Sequence, residues 1–184
     1  PTVPGMAPPG TVHRFEVSLS DVDRDVYESF DLRIAQHPSE TMRYLLTRTL
    51  AYCLSYEEGI HFSKGGLSAA EEPPVSVRDA TGLLLAWIDV GSPSADRLHK
   101  AAKAARRVAI FTHSDLGPLR REAEGIHKAA TIEVFRIAPD LLDELERRIQ
   151  RNAALEITRN EGMLYVTLDG DHLEGPIDRT FLVG

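Results

Sequence analysis

The chain has 184 residues, of which 42% are hydrophobic and 27% charged, and its formal net charge is −7. Such a length and composition are typical of one globular domain with a sizeable core, and the negative charge argues against a protein that coats nucleic acid by bulk electrostatics. A single cysteine, Cys53, excludes an internal disulfide and a cysteine-based zinc cluster. No stretch approaches the ~20 apolar residues of a membrane span. We therefore expect a cytoplasmic, monomeric protein without a membrane partner.

The first ten residues, PTVPGMAPPG, are rich in proline and glycine. Such a composition predicts a flexible tail rather than an ordered element. No basic segment followed by an apolar segment opens the chain, so we do not expect a signal peptide. The predicted domain organisation is a tail over 1–10 and a single domain over 11–184.

Apolar patterning predicts the first elements in chain order. The stretches VHRFEVSL and YESFDLRIAQ alternate as two strands around an acidic turn. HPSETMRYLLTRTLAYCL has helical spacing, and Pro38 and Ser39 are expected at its start. The segment from Glu57 to Val77 contains SKGG and EEPP, which predict mostly loop with a short strand at IHFS.

The second half begins with an apolar run, LLLAWIDV, which predicts a strand buried on both faces. GSPSAD leads into a helix from Ser94 to about Arg107, and RVAIFT is the next buried strand; this order predicts a right-handed parallel crossover. A strand at ATIEVFRI, a helix from Pro139, a hairpin in LEITRNEGMLYVTLDG and a final strand at RTFLVG follow. The fold class predicted is α/β, with a mixed β-sheet flanked by helices.

Two acids border the buried strand, and they raise the question of what a carboxylate does there. Asp89 lies near the C-terminal end of the strand, and ligands of open α/β sheets lie beyond the carboxyl ends of strands. Asp79 precedes the strand, and a bend in the chain could bring it beside Asp89. Two converging carboxylates repel unless a cation lies between them, and Mg²⁺ prefers such oxygen ligands. The acids therefore suggest a metal site.

Structural interpretations of the same residues stay open. Asp79 in RDATG is equally a turn residue that bonds its own backbone, and Asp89 could pair with Arg97. Glu40 is favoured in a first helical turn by the helix dipole and lies off the apolar stripe. The predicted helix after Asp89 carries a run of basic residues that could be only a solvated face: Arg97, Lys100, Lys103, Arg106 and Arg107.

Several motifs in one order resemble the YaeQ family. They are AQHPSET (35–41), EEP (71–73), DATG (79–82), WIDVGSP (87–93), RLHKA (97–101) and VAIFT (108–112). The resemblance covers nearly the whole chain after the proline-rich tail. It implies a variant of the PD-(D/E)XK nuclease fold, the restriction-endonuclease-like core, extended by N-terminal and C-terminal β-hairpins.

The nuclease pattern requires one acid and then, after a spacer, an acid, any residue and a lysine. The acids hold a metal ion that activates water, and the lysine stabilises the developing charge. The resemblance matches Asp79 and Asp89 to the two acids, but Gly91 stands where the lysine is expected. Lys100 is the expected substitute on the neighbouring helix, with Arg97 behind it.

Glu40 resembles the additional acid that the first helix of such folds supplies, so the implied metal ligands are Asp79, Asp89 and Glu40. Glu72 belongs to the family pattern without an assigned role. The resemblance implies a Mg²⁺-dependent nuclease, with Mn²⁺ as a substitute ion, that binds DNA or RNA through the local basic helix. The alternative is a non-catalytic protein of the same fold that binds or regulates a partner.

Overall fold

The computed structural model describes residues 11–64 and 71–184, which contain ten strands, four α-helices and two short 3₁₀ helices, Ala123–Gly125 and Ala129–Thr131. The predicted tail, 1–10, and residues 65–70 of the predicted loop lie outside the described residues. The strands are β1 Thr11–Asp21, β2 Val26–Gln36, β3 Ile60–Phe62, β4 Val75–Arg78, β5 Leu84–Val90, β6 Arg107–Thr112, β7 Glu133–Ile137, β8 Asn152–Asn160, β9 Met163–Leu168 and β10 Asp171–Phe181. The helices are α1 Met42–Leu54, α2 Ala95–Ala104, α3 Gly117–Arg121 and α4 Pro139–Arg148.

The ten strands form one curled, mixed sheet in the order β2-β1-β8-β9-β10-β7-β6-β5-β4-β3. The pairs β1–β8, β5–β6 and β6–β7 are parallel, and the others are antiparallel. The predicted crossover is present, because β5 pairs in parallel with β6 across α2. The N-terminal hairpin β1–β2 joins the C-terminal strands β8–β10 through the β1–β8 pair, which links the two ends of the chain.

Helices cover both faces of this sheet. Helix α1 packs over β3 to β6 and against α4, and its buried side chains, with Ile88 of β5, belong to the larger core cluster. Helix α2 covers the opposite face of β5 and β6, where Leu98 and Ala101 pack with Trp87 in the second cluster. The mixed α/β class with flanking helices is confirmed. The closer likeness to the PD-(D/E)XK core stays a prediction.

Local boundaries differ from the predicted ones where a cap or a neighbouring strand decides them. Helix α1 begins at Met42 rather than at Pro38 or Ser39, because the Thr41 side chain caps it by accepting a hydrogen bond from the Tyr44 N–H. Helix α2 ends at Ala104 rather than Arg107, since Arg107 begins β6. The short helix α3 was not predicted, and the last strand is longer than RTFLVG.

Candidate functional site at the carboxyl end of the central strand

Asp89 lies at the end of β5 with its side chain only 3% exposed. Its Oδ2 accepts hydrogen bonds from Arg97 Nε at 2.8 Å and from the indole Nε1 of Trp87 at 3.1 Å. Its Oδ1 accepts one from the Val90 N–H at 3.2 Å. Both carboxylate oxygens therefore already have donors, which is how a charge is tolerated at the end of a core strand.

The local sequence explains why these groups meet. Strand alternation places Trp87 and Asp89 on the same face of β5, the face that α2 covers. Ser94 caps α2 by accepting from the Arg97 N–H, so Arg97 lies in the first turn beside the end of β5. Its guanidinium lies 5.2 Å from the Trp87 ring centroid, a cation–π contact that further fixes its position.

The acidic residue that the fold brings near this end of the sheet is Glu72, whose carboxylate accepts a hydrogen bond from the Ser63 hydroxyl at 2.9 Å. Strand β4 runs antiparallel to β5 with Val75 opposite Ile88, so the chain just before β4 passes beside the end of β5. Arg97 confirms this proximity, because its Nη2 donates to the Glu72 carbonyl at 2.9 Å. A feature of the sequence could have indicated this position. In an antiparallel hairpin such as β4–β5, a residue just before the first strand lies beside the C-terminal end of the second strand.

Asp79 lies at the opposite end of β5, in the turn from β4. Its Oδ1 accepts from the Thr81 hydroxyl at 2.6 Å, the Thr81 N–H at 2.9 Å and the Leu83 N–H at 3.0 Å. The bond from the Thr81 hydroxyl, followed by that from Leu83, lowers the pKa of this exposed carboxyl. The steps from Leu83 to Asp89 correspond to about 20 Å of extended strand. This arrangement corrects the expectation that Asp79 and Asp89 converge.

Glu40 is held by a different partner. Its carboxylate accepts two bonds from Arg48, each 3.1 Å long, and one from the His37 N–H at 3.2 Å. The Glu40 and Arg48 side chains are only 1% and 5% exposed, so this is a buried ion pair that ties the segment before α1 to the helix. Among the residues that the structure describes, Glu40, Asp79 and Asp89 therefore do not form a group that could hold a metal ion.

Tyr44, in the first turn of α1, is close enough to the Glu40 and Asp89 pairs for their charges to act on its pKa. Burial raises its pKa to about 12, and the Asp89 charge acts in the same direction. Its ring lies 3.8 Å from where a Cβ of Gly91 would project, and Gly91 has a φ of +84°. This left-handed backbone favours glycine, which gives a structural reason for its presence where the nuclease pattern has a lysine.

The two cations expected to substitute for that lysine differ. Arg97 reaches Asp89, as described above. Lys100 instead forms an i,i+4 pair with Asp96 at 3.4 Å, and its side chain is 63% exposed. Lys100 therefore lies on the outer surface of α2 and does not enter the Asp89 site.

The donor set at Asp89 does not fit a Mg²⁺ ion in this arrangement, because N–H groups and a guanidinium occupy the oxygens that the ion would need. Over residues 11–64 and 71–184, no group of three or more His, Cys, Asp or Glu side chains is arranged to hold a metal. The metal-binding and catalytic roles of Glu40, Asp79, Asp89, Arg97 and Lys100 stay predictions.

A cleft of about 330 Å³ opens beside this site. Ser76 of β4 is opposite Trp87 and next to His61 of β3, so the cleft lies on the face of the sheet that carries Trp87 and Asp89. We call it the Glu72 cleft. Its lining residues are His61, Phe62, Ser63, Lys64, Glu72, Pro73, Ser76 and Arg78.

Within the described ranges, no helix is long and apolar enough to span a membrane. The family model described as "YaeQ protein" matches residues 6–176. "Uncharacterized protein YaeQ" of Escherichia coli (strain K12) and that of Shigella flexneri are each 29% identical over 173 residues, covering 92% of this chain and 94% of theirs.

Two solved structures of YaeQ proteins have a fold similar to that of this chain. A crystal structure of YaeQ protein from Pseudomonas syringae has a TM-score of 0.83 and 30% identity, covering 95% of this chain and 97% of that chain. The YaeQ protein from Xanthomonas axonopodis pv. citri has a TM-score of 0.83 and 28% identity, covering 92% and 97%. With its sequence matched over most of its length and its fold shared, the chain belongs to the YaeQ family.

Proposed function

We propose that this YaeQ-family chain binds nucleic acid through the Glu72 cleft and the exposed edge of α2, and that it does so without cleaving the strand. The Asp89–Arg97 pair is the observation that carries the proposal. Each oxygen of this carboxylate already accepts an N–H bond, so the site stabilises the protein and is not prepared to receive an ion. What the same face offers a ligand is positive charge.

The cations of this face support a phosphate ligand. Lys100 and Lys103 are exposed and one turn apart on α2, and Lys64 and Arg78 are exposed in the Glu72 cleft. Phe62 also lines the cleft, but its ring already stacks on Tyr52 of α1 with 4.5 Å between centroids, so the cleft offers a ligand charge rather than a stacking surface. A local basic surface can bind phosphates on a protein whose net charge is −7, since screening limits long-range repulsion to about 10 Å.

The test is fluorescence anisotropy with labelled single-stranded and duplex DNA and RNA over a series of salt concentrations. The double variant Lys100→Gln/Lys103→Gln should weaken binding and reduce the log–log salt slope by ~0.7–0.9 per lost phosphate contact. The control Arg14→Gln/Arg33→Gln removes the same charge from the distant β1–β2 hairpin and should change neither. Equal losses in both double variants, or no binding at low salt, would refute the proposal.

A second candidate is the Mg²⁺-dependent nuclease, on a variant of the PD-(D/E)XK fold. The proximity of the Glu72 segment to the end of β5 favours it, because this places two acidic residues and the cation Arg97 at one strand end. The candidate requires that Arg97 release Asp89. Strand cleavage in Mg²⁺ or Mn²⁺ that is lost in both Asp89→Asn and Glu72→Gln, in folded protein, would replace the binding proposal with this one.

A further inference from the structure

A second cleft, of about 440 Å³, lies on the other face of the sheet, at the end of the parallel strands opposite to Asp89. It is bordered by the last turn of α1, the beginning of β6 and parts of β7 and β10. Its volume falls within the ~300–1,000 Å³ typical of small-molecule sites. We call it the arginine cleft, after the four arginines in its lining: Arg24, Arg107, Arg159 and Arg179.

The four arginines are balanced by acids, because Asp21 and Glu57 pair with Arg159 and Arg107 from just outside the lining. The four arginines face two lining carboxylates, Asp23 and Glu133. Asp23 is already used, because it accepts hydrogen bonds from the Glu161 N–H at 2.7 Å and the Gly162 N–H at 3.2 Å. An anionic ligand is therefore favoured where it can take the place of a carboxylate that is paired with one of the arginines.

Two of the arginines are structural. Arg159 forms a buried pair with Asp21 and donates to the Leu54 carbonyl at 3.1 Å. Arg24 donates to the same carbonyl at 3.0 Å and to the Tyr56 carbonyl at 2.9 Å. Together they donate hydrogen bonds to backbone carbonyls at the C-terminal end of α1, which would otherwise lack partners. They thereby fix one wall of the cleft.

The other two arginines form ion pairs that are open to solvent on the arginine side. Arg107 pairs with Glu57 at 2.6 Å, and their side chains are 43% and 44% exposed. Arg179 pairs with Glu133 at 2.6 Å, and its side chain is 59% exposed. Ion pairs with this much solvent contact contribute little to stability, so an incoming anion can replace either glutamate at small cost.

The floor between them is apolar. Ala109, Ile177 and Leu54 line it together with the half-buried Phe135. The Phe135 ring stacks on Phe111 at 4.6 Å between centroids with 13° between planes, which fixes its orientation. A fixed aromatic surface beside exposed guanidinium groups suits a ligand with a flat apolar body and an anionic end.

We propose that the arginine cleft binds a small organic anion the size of a nucleoside monophosphate. Its phosphate or carboxylate accepts hydrogen bonds from Arg107 and Arg179, and its ring packs against Phe135. The site is separate from the nucleic-acid surface proposed above and does not depend on it.

Isothermal titration calorimetry of the full chain tests this with four probes: adenosine 5′-monophosphate, phenyl phosphate, adenosine and inorganic phosphate. We expect one site for the two ring-bearing phosphates, with adenosine and inorganic phosphate each at least ~10-fold weaker, because each lacks one half of the recognition. Arg107→Gln and Arg179→Gln should each weaken phenyl phosphate ~10-fold or more.

The matched control is Arg14→Gln, which removes an equally exposed paired arginine from the far end of β1 and should leave every affinity unchanged. Because Arg107 and Arg179 are half-exposed, melting curves of their variants should match the native protein. Phe135→Leu keeps the apolar floor and should weaken only the ring-bearing probes. The proposal fails if no probe binds, if inorganic phosphate binds as well as phenyl phosphate, or if Arg14→Gln has the same effect as the cleft variants.

Discussion

Arg97 holds Asp89 from the helix that follows the strand of Asp89, with Nε 2.8 Å from Oδ2. The same guanidinium lies over the Trp87 ring and donates to the backbone of Glu72. One side chain therefore joins α2, β5 and the segment before β4. This ion pair occupies the end of β5, where a metal ion was expected to bind. The stability of Asp89 and Arg97 variants is therefore the most direct test of what the pair does.

Asp89→Ala should destabilise the protein, because Arg97 and the Trp87 indole lose their acceptor. We expect a loss of about 2 kcal/mol, below the ~3–5 kcal/mol of fully buried pairs because Arg97 keeps partial solvent contact. Urea unfolding in metal-free buffer measures it, and Asp96→Ala, in the exposed pair with Lys100, should change stability by less than ~0.5 kcal/mol. Unchanged or increased stability would instead support the metal-site hypothesis, in which Asp89 is held under repulsion.

Glu40→Gln should cost about 3–5 kcal/mol, because it leaves the buried Arg48 without its counter-charge. The double variant Glu40→Met/Arg48→Met should recover much of that loss, since neither charge then needs a partner. Chemical denaturation of the single and double variants measures the coupling. A Glu40→Gln protein with native stability would show that the pair is not structural and would return Glu40 to the list of site candidates.

Tyr44 sets an alkaline limit on stability. Its pKa is raised by burial from 10.0 to about 12, so its contribution is fully present below pH 10 and is lost as the pH rises towards 12. Tyr44→Phe should flatten this part of the stability–pH curve. Circular dichroism measures unfolding at each pH, and tyrosinate absorbance measures the ionisation of tyrosine. Tyr165→Phe, on the exposed side of β9, is the control and should leave the curve unchanged. An unaltered curve in Tyr44→Phe would contradict the assignment.

Cys53 should be unreactive in the folded protein. It is fully buried in α1, so a reagent cannot reach its sulfur. Burial also raises its pKa to about 12, so the thiol is not ionised at neutral pH. Ellman's reagent should label it only at the rate of unfolding, and urea should make labelling immediate. Rapid labelling of folded protein at neutral pH would show that α1 opens locally.

The hydrophobic pattern and the turn residues of the sequence were enough to predict most of the strands and helices. Strand β6 has the bounds predicted from RVAIFT, and the hairpin β8–β9 turns within the predicted residues 160–162. These elements depend on local periodicity, and the turn residue Gly162 takes the positive φ, +73°, that such a turn needs. Helix α2 buries Leu98, Ala101 and Ala102 against the sheet.

The partners of the acids were decided only by the tertiary structure. From the sequence, Asp79 and Asp89 were equally near the buried strand, and pairing of Asp89 with Arg97 was one of two open alternatives. The antiparallel register of β4 and β5 placed Asp79 and Glu72 at opposite ends of β5, since a hairpin brings together residues that the chain separates. The sequence by itself determined most of the strands, helices and core positions, because hydrophobic periodicity is local. Which carboxylate meets which cation depends on strand pairing and helix packing over long sequence distances, and no local pattern contains that information.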